Sequence, residues 1–181
     1  MTQAQLKQHY KESVVGELQQ RFGYGNLHEV PELKKIVISM GLAKATKDKK
    51  HLDACHNDLM QIAGQKPIFI RSTKSISNFK LREDQIIGLK VTLRGSRMYD
   101  FLYRFQHIVA PRIPDFRGLK LKGDGRGSLS FGLKEQSMFP EVDLDKIAIV
   151  QGMNITFVTT AQSDEECIAL LRMLGLPLKK S

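Results

Sequence analysis

Four runs of this 181-residue chain alternate apolar and polar side chains, and that alternation limits the fold more than any other feature. Ile36, Ile38 and Met40 share one parity, as do Leu89, Val91 and Leu93. Leu129, Phe131 and Leu133 form a third set, and Met153, Ile155 and Phe157 a fourth. Successive side chains of a strand point to opposite faces, so each run predicts a strand with one buried and one open face. Sheets with one open face are largely antiparallel. Pro67-Ile68-Phe69-Ile70-Arg71 is a shorter fifth candidate.

The segments between these runs change period. Leu6, Tyr10, Val14, Leu18 and Phe22 recur at i+4 steps from Gln5 to Phe22 and stop at Gly23, which predicts an amphipathic helix with a glycine cap. Leu52, Cys55, Leu59 and Ile62 predict a second helix, starting at Thr46 or Asp48 and stopping at Gly64. A third runs from Ser96 through Met98, Phe101, Leu102, Phe105 and Ile108 and ends before Pro111. The last opens on Ser163-Asp164-Glu165-Glu166, a capping box with acids in the first turn, carries Leu170, Leu171 and Leu174, and ends at Gly175. The expected architecture is α+β: a largely antiparallel sheet with helices packed on one face and the other face open. One domain over 1–181 is expected, with a basic hairpin loop projecting at about 71–82.

Lys and Arg number 28 against 19 Asp and Glu, a net charge of +9 and a pI near 9.6. Such an excess suggests a polyanion partner, nucleic acid or an anionic membrane. No apolar run approaches the length of a bilayer span, and the first residues resemble neither a secretion signal nor a transit peptide. Membrane association is not expected. Cys55 and Cys167 fit neither a disulfide framework nor a zinc ribbon, so a reducing cytosol is the natural compartment. The sequon Asn154-Ile155-Thr156 lies inside a strand run and carries no weight.

The open parity of the strands carries the functional signal. It holds Lys35, Val37 and Ser39; Lys90, Thr92 and Arg94; Ser128, Ser130, Gly132 and Lys134; and Asn154, Thr156 and Thr160, without an Asp or Glu. Cations, hydroxyls and amides without carboxylates suit phosphates and ribose hydroxyls. A plain solvated face would also accept Ser and Thr, but would usually include acids. The stretch Arg71 to Arg82 is acid-free as well. It carries the cations Arg71, Lys74, Lys80 and Arg82, with Ser75 and Asn78 among them, between two strand candidates. Phe79 in it either stacks on an exposed base or tucks beneath the hairpin. A second basic region mixes Arg112, Arg117, Lys120, Lys122 and Arg126 with Asp115 and Asp124. Its glycines indicate turns and not a phosphate-binding loop, since the Lys-Ser/Thr ending is missing.

Enzymatic readings find little support. His51 and Cys55, one helical turn apart, have no evident third metal ligand, and Cys55 fits the buried stripe. His107 reads as a packed histidine and not a base, and neither a nucleophile elbow nor a catalytic acid pair is present. No cofactor is expected. A metal-dependent enzyme acting on nucleic acid and a protein-only adaptor remain the competing readings. The second is prompted by the acidic island Phe139-Pro140-Glu141-Val142-Asp143-Leu144-Asp145, which is a solvated turn or a dock for a basic protein.

Taken in order, a set of segments resembles the large-subunit ribosomal protein five family, the bacterial-type 5S rRNA-binding proteins. They are Gly64-Gln65-Lys66-Pro67, Lys74-Ser75, Phe79-Lys80, Gly88-Leu89-Lys90-Val91-Thr92-Leu93-Arg94-Gly95, Pro111-Arg112-Ile113-Pro114-Asp115-Phe116-Arg117-Gly118-Leu119, Asp124-Gly125-Arg126-Gly127, Glu135-Gln136, Phe139-Pro140-Glu141, Thr159-Thr160-Ala161 and Ser163-Asp164-Glu165-Glu166. The resemblance spans roughly Leu6 to Lys180. It implies a cytoplasmic ribosomal protein of a bacterium, or of an organelle genome, in the central protuberance of the large subunit.

By that resemblance the open face, with Ser39, Gln65, Phe79, Lys90, Thr92 and Arg94, contacts 5S rRNA, and other surfaces meet 23S-type rRNA. The loop carrying Arg71, Lys74, Ser75, Asn78, Lys80 and Arg82 would reach the P-site tRNA. Arg112 and Arg117, with Glu141, Asp143 and Asp145, would bridge to a small-subunit head protein of the protein thirteen family. Three positions depart from the family: Ser39 replaces its usual Asn, Thr73 a common cation, and Gly123 an aromatic residue.

Overall fold

The structure is a computed structural model that describes residues 3–42, 49–114, 116–119, 123–143 and 150–179. Its strands are β1 (Leu33–Gly41), β2 (Ile68–Arg71), β3 (Ile86–Leu93), β4 (Ser128–Leu133) and β5 (Met153–Thr159). They form one five-stranded antiparallel sheet in the order β2-β3-β1-β5-β4, and with the helices make the expected α+β fold.

The alternation translates directly into burial. Ile36, Ile38, Leu89, Leu93, Ile155 and Phe157 are wholly buried, while Lys90, Ser130, Gly132, Lys134 and Asn154 of the other parity are exposed. Phe131 is the exception on the apolar side, being only half-buried. Fully burying one such aliphatic side chain contributes about 1.5–3 kcal/mol, so a one-residue slip of any strand would forfeit several at once.

The chain packs as two compact units, the first comprising Met1–Ile36, Leu93–Phe131 and Thr156–Ser181, the second Val37–Thr92 and Gly132–Ile155. In the first, α1 (Gln3–His9) runs through a π-helical turn at Tyr10–Val14 into α2 (Val15–Phe22). Gly23 ends it in the left-handed region (φ +69°), where its N–H donates to Gln19 O at 2.9 Å, the glycine cap that the sequence predicts. α4 (Gly95–Arg104) packs against α1. Phe105 anchors an aromatic cluster, its ring 6.0 Å from both Phe131 and Phe157.

Two expectations for this unit need correction. The helix after Ser96 does not end before Pro111: it widens into a π-helical turn at Phe105–Val109 and restarts as α5 (Ala110–Arg112). Pro111 follows directly on the π-helical turn, where Ala110 N–H reaches back to Phe105 O, and the wider turn accommodates a ring that a regular α-turn would crowd. The capping box at α6 (Asp164–Met173) is half-formed. Ser163 Oγ accepts from Glu166 N–H at 3.3 Å, but the Glu166 carboxylate reaches the N–H of Gln162, one residue further out. Leu170 and Leu171 are buried, and Gly175 (φ +90°) follows the helix.

In the second unit α3 (Lys49–Ala63) buries Cys55, Leu59 and Ile62, leaves Leu52 half-buried, and stops at Gly64 (φ +61°). The starts expected at Thr46 or Asp48 lie outside the described residues. β2 pairs antiparallel with β3, with Ile68 opposite Lys90 and Ile70 opposite Gly88. Gly88 is required here, because a Cβ on it would sit 2.8 Å from the Met40 carbonyl oxygen of β1.

Candidate nucleic-acid interface

In the second unit the open parity of β1 and β3 presents Ser39, Lys90 and Thr92. Lys90 is exposed, and Ser39 and Thr92 are half-buried. Gln65 follows the α3 cap and is half-buried and engaged within the chain. Register brings Ile68, 71% exposed, directly opposite Lys90, so this face carries apolar as well as cationic surface. Period-two counting missed that residue, because a four-residue edge strand is too short to show its parity. In the first unit Arg94 is exposed, in extended backbone at the start of α4, with no side-chain cap bond. Among the described residues neither Lys90 nor Arg94 has an ion-pair partner, which leaves both charges available to phosphate.

The β2–β3 connection is a built hairpin and not an open loop. Ser72 N–H donates to Gln85 O and Asp84 N–H to Ser72 O, both at 2.9 Å, closing its root. Ile76 and Leu81 exchange backbone hydrogen bonds of 2.9 and 3.1 Å nearer the tip, and Ser77–Phe79 forms a 3-10 turn between them. Lys80 then turns the chain at φ 51°, a left-handed position that disfavours a side chain. Several polar side chains serve the hairpin itself: Ser72 Oγ donates to Lys74 O, Ser75 Oγ accepts from Glu83 N–H, and Gln85 Oε1 accepts from Arg82 N–H.

The tip settles the two readings of Phe79 in one respect: the residue is 78% exposed and so is not tucked beneath the hairpin. Lys74, Asn78, Lys80 and Arg82 are exposed around it. Arg71 differs from them. It pairs with Asp84 at 3.1 Å, one of two acids that directly follow the acid-free stretch.

Arg112 and Arg117 are exposed in the first unit. Arg117 leads into Leu119, whose N–H donates to Pro177 O while its own carbonyl accepts from Lys179 N–H, each at 2.9 Å. In the second unit Asp143 is exposed and Glu141 half-buried, on a segment anchored by the buried Phe139 and Val142. Asp115, Lys120, Lys122 and Asp145 lie outside the described residues.

The features that raised catalytic readings have other uses. Burial pushes the Cys55 thiol up, with Asp58 adding to the effect, and pushes Cys167 up to about 11. A nucleophile or metal ligand needs the opposite shift. Among the described residues no three His, Cys, Asp or Glu side chains converge as metal ligands would. His107 is exposed and not packed inside, as the sequence had implied, and its ring lies 4.6 Å from that of Tyr103. A cleft of about 400 Å³ in the first unit is lined by Tyr24, His28, Glu29, Thr160, Gln162 and Glu166. Burial, then the Glu166 carboxylate, push the Tyr24 hydroxyl there up to about 12.

Comparison with known proteins gives these surfaces a family. Residues 26–82 match the family described as ribosomal protein L5, and residues 86–178 match the C-terminal part of the same ribosomal family. The large ribosomal subunit protein uL5 of Chlamydia abortus is 58% identical over 178 residues, covering 98% of this chain and 99% of that protein. Its counterpart in Protochlamydia amoebophila is 54% identical over 176 residues, 97% of this chain and 95% of that one. The chain belongs to the ribosomal protein L5 family. It is a structural protein of the large ribosomal subunit and not an enzyme. Among its described residues no helix is long and apolar enough to cross a membrane.

Proposed function

We propose that this ribosomal protein holds 5S rRNA through Ser39, Gln65, Phe79, Lys90, Thr92 and Arg94 and helps attach it to 23S-type rRNA in the central protuberance of a cytoplasmic, bacterial-type ribosome. The hairpin carrying Arg71, Lys74, Ser75, Asn78, Lys80 and Arg82 reaches the P-site tRNA. Arg112 and Arg117, with Glu141, Asp143 and Asp145, meet a small-subunit head protein of the protein thirteen family. The observation that carries the reading is the acid-free chemistry of the open strand parity, with Lys90, Thr92 and Arg94 in succession on one strand and its exit and neither cation ion-paired among the described residues. Cations position a phosphate backbone, and hydroxyls beside them suit the ribose 2′-OH that distinguishes RNA.

The ion pair of Arg71 with Asp84 makes Lys74, Lys80 and Arg82 the better phosphate ligands of the hairpin. Filter binding of 5S rRNA tests the face. Arg94→Ala is expected to weaken binding by about 1–3 kcal/mol and Thr92→Ala by less, with the fold intact. Affinity should also fall by roughly 0.7–0.9 log units per log unit of salt for each phosphate contact. Lys74→Ala should spare 5S affinity and impair tRNA placement on assembled ribosomes. Unchanged 5S affinity for the Arg94 variant would remove the site.

A further inference from the structure

The segment that bears Glu141 and Asp143 leaves β4 at Leu133 and returns at Val150 and Gln151, before β5. Between these points Gln136 is 1% exposed, a buried amide in a stretch of exposed charges. An amide in that position must satisfy a carbonyl and an NH2 group, since an unpaired one is strongly disfavoured. Here both ends are used. Gln136 Oε1 accepts from the backbone N–H of Gln151 at 2.5 Å, and the NH2 group donates to the Asp58 carboxylate of α3. Gln151 passes the connection on, its Nε2 donating to Gly41 O at the end of β1 at 2.9 Å.

The backbone of Gln136 organises the outgoing chain as well. Its carbonyl accepts from Phe139 N–H at 3.1 Å, and Phe139 O accepts from Val142 N–H at 3.2 Å. Phe139 and Val142 then insert into the core at 1% and 4% exposure, with half-buried Glu141 and exposed Asp143 on either side of the second anchor. Burial raises the Asp58 carboxyl, and the Gln136 hydrogen bond opposes that rise. One side chain therefore ties the departing chain, the returning chain and a helix together.

We infer that Gln136 is a positioning residue for the acidic site: its amide closes the base of this excursion, so that Glu141 and Asp143 meet a basic protein surface already placed. A closed base removes ordering that binding would otherwise have to impose. The inference rests on the proposed role of Glu141 and Asp143 in subunit contact and adds a residue that touches no partner.

The test uses large subunits reconstituted with variant protein and measures their association with small subunits. Glu141→Gln with Asp143→Asn should lower the association constant roughly three- to tenfold, the range of a few interfacial charge contacts. Gln136→Met, which keeps the bulk and loses both hydrogen bonds, should lower it to a similar extent while 5S rRNA affinity stays unchanged. Combining the two changes should add nothing, because both remove the same contact.

If the Gln136 variant fails to incorporate, Gln136→Asn replaces it, which keeps the amide but shortens its reach by one methylene, so an intermediate loss is expected. Association unchanged by Gln136→Met and weakened by the charge variant overturns the positioning role and leaves the acidic dock standing. Association unchanged by the charge variant overturns both. Losses that add in full also overturn the inference, since Gln136 would then act elsewhere.

Discussion

Two excursions of the second unit, the basic hairpin and the acidic segment, display opposite charges and are held by opposite means. The hairpin around Ser77–Lys80 is stiffened from within by the Ile76–Leu81 and Ser72–Gln85 backbone bonds, and its apolar side chains stay outside, Phe79 at 78% and Ile76 at 43% exposure. Among its described residues the acidic segment turns through the Gln136–Phe139 and Phe139–Val142 backbone bonds and is anchored by side chains driven inward, Gln136, Phe139 and Val142. A large exposed aromatic ring on a pre-formed tip suits a partner that itself supplies an aromatic surface, as unpaired bases do. Carboxylates set over buried anchors suit a partner that supplies cations. The contrast shows where each region stores its order: in the backbone where the apolar residue must remain available, in the core where only charge is displayed.

The largest effect should come from removing a core anchor of the acidic side. Phe139→Ala is expected to lower the stability of the protein by about 3–5 kcal/mol in urea denaturation, through lost burial and a cavity that relaxes only in part. A loss as small as that for an exposed residue would erase the contrast. Phe79→Ala should change stability by no more than about 0.5 kcal/mol, as a surface substitution. In RNA binding the same change should cost about 1–3 kcal/mol if the ring stacks on a base. A stability loss without an RNA effect would make Phe79 a structural residue after all. The smallest effect belongs to the hairpin root. Arg71→Ala or Asp84→Ala should alter stability by less than about 1 kcal/mol and less still in high salt, because both side chains are exposed. A salt-independent loss would show the pair to be better shielded than its exposure implies.

Much of the fold was legible because it follows from near neighbours in the chain. The alternation at Ile36–Met40 and Leu89–Leu93 depends only on residues two apart, and the Gly23 and Ser163 caps on residues within one turn. Pro111 misled because a π-helical turn re-phased the helix just before it, and a period of three to four carries no notice of such a change. His107 misled for a different reason: it sits within the turn at Phe105–Val109 and, although it adjoins the buried Phe105 and Gln106 in the chain, its side chain is exposed.

The candidate site divides along the same line. The identity of the open-face cations was visible in Lys90 and Arg94, whereas the availability of each charge was not. Arg71 and Lys74 look alike in the chain, yet the hairpin closes Asp84 onto Arg71 and leaves Lys74 unpaired among the described residues. Glu83 and Asp84 were adjacent to the acid-free stretch all along, but only the hairpin register decides which cation an acid meets.

By itself, then, the sequence determined the strands, most helix limits, the polarity of each face and the family, since periodicity, caps and ordered motifs are properties of short stretches read in line. The tertiary structure alone decided the strand order β2-β3-β1-β5-β4, the outward ring of Phe79 and the inward amide of Gln136. Each of these depends on groups far apart in the chain, as Gln136 does on Asp58 and Gln151. Burial and hydrogen-bond partnership are set by what arrives from elsewhere, and no local pattern encodes that.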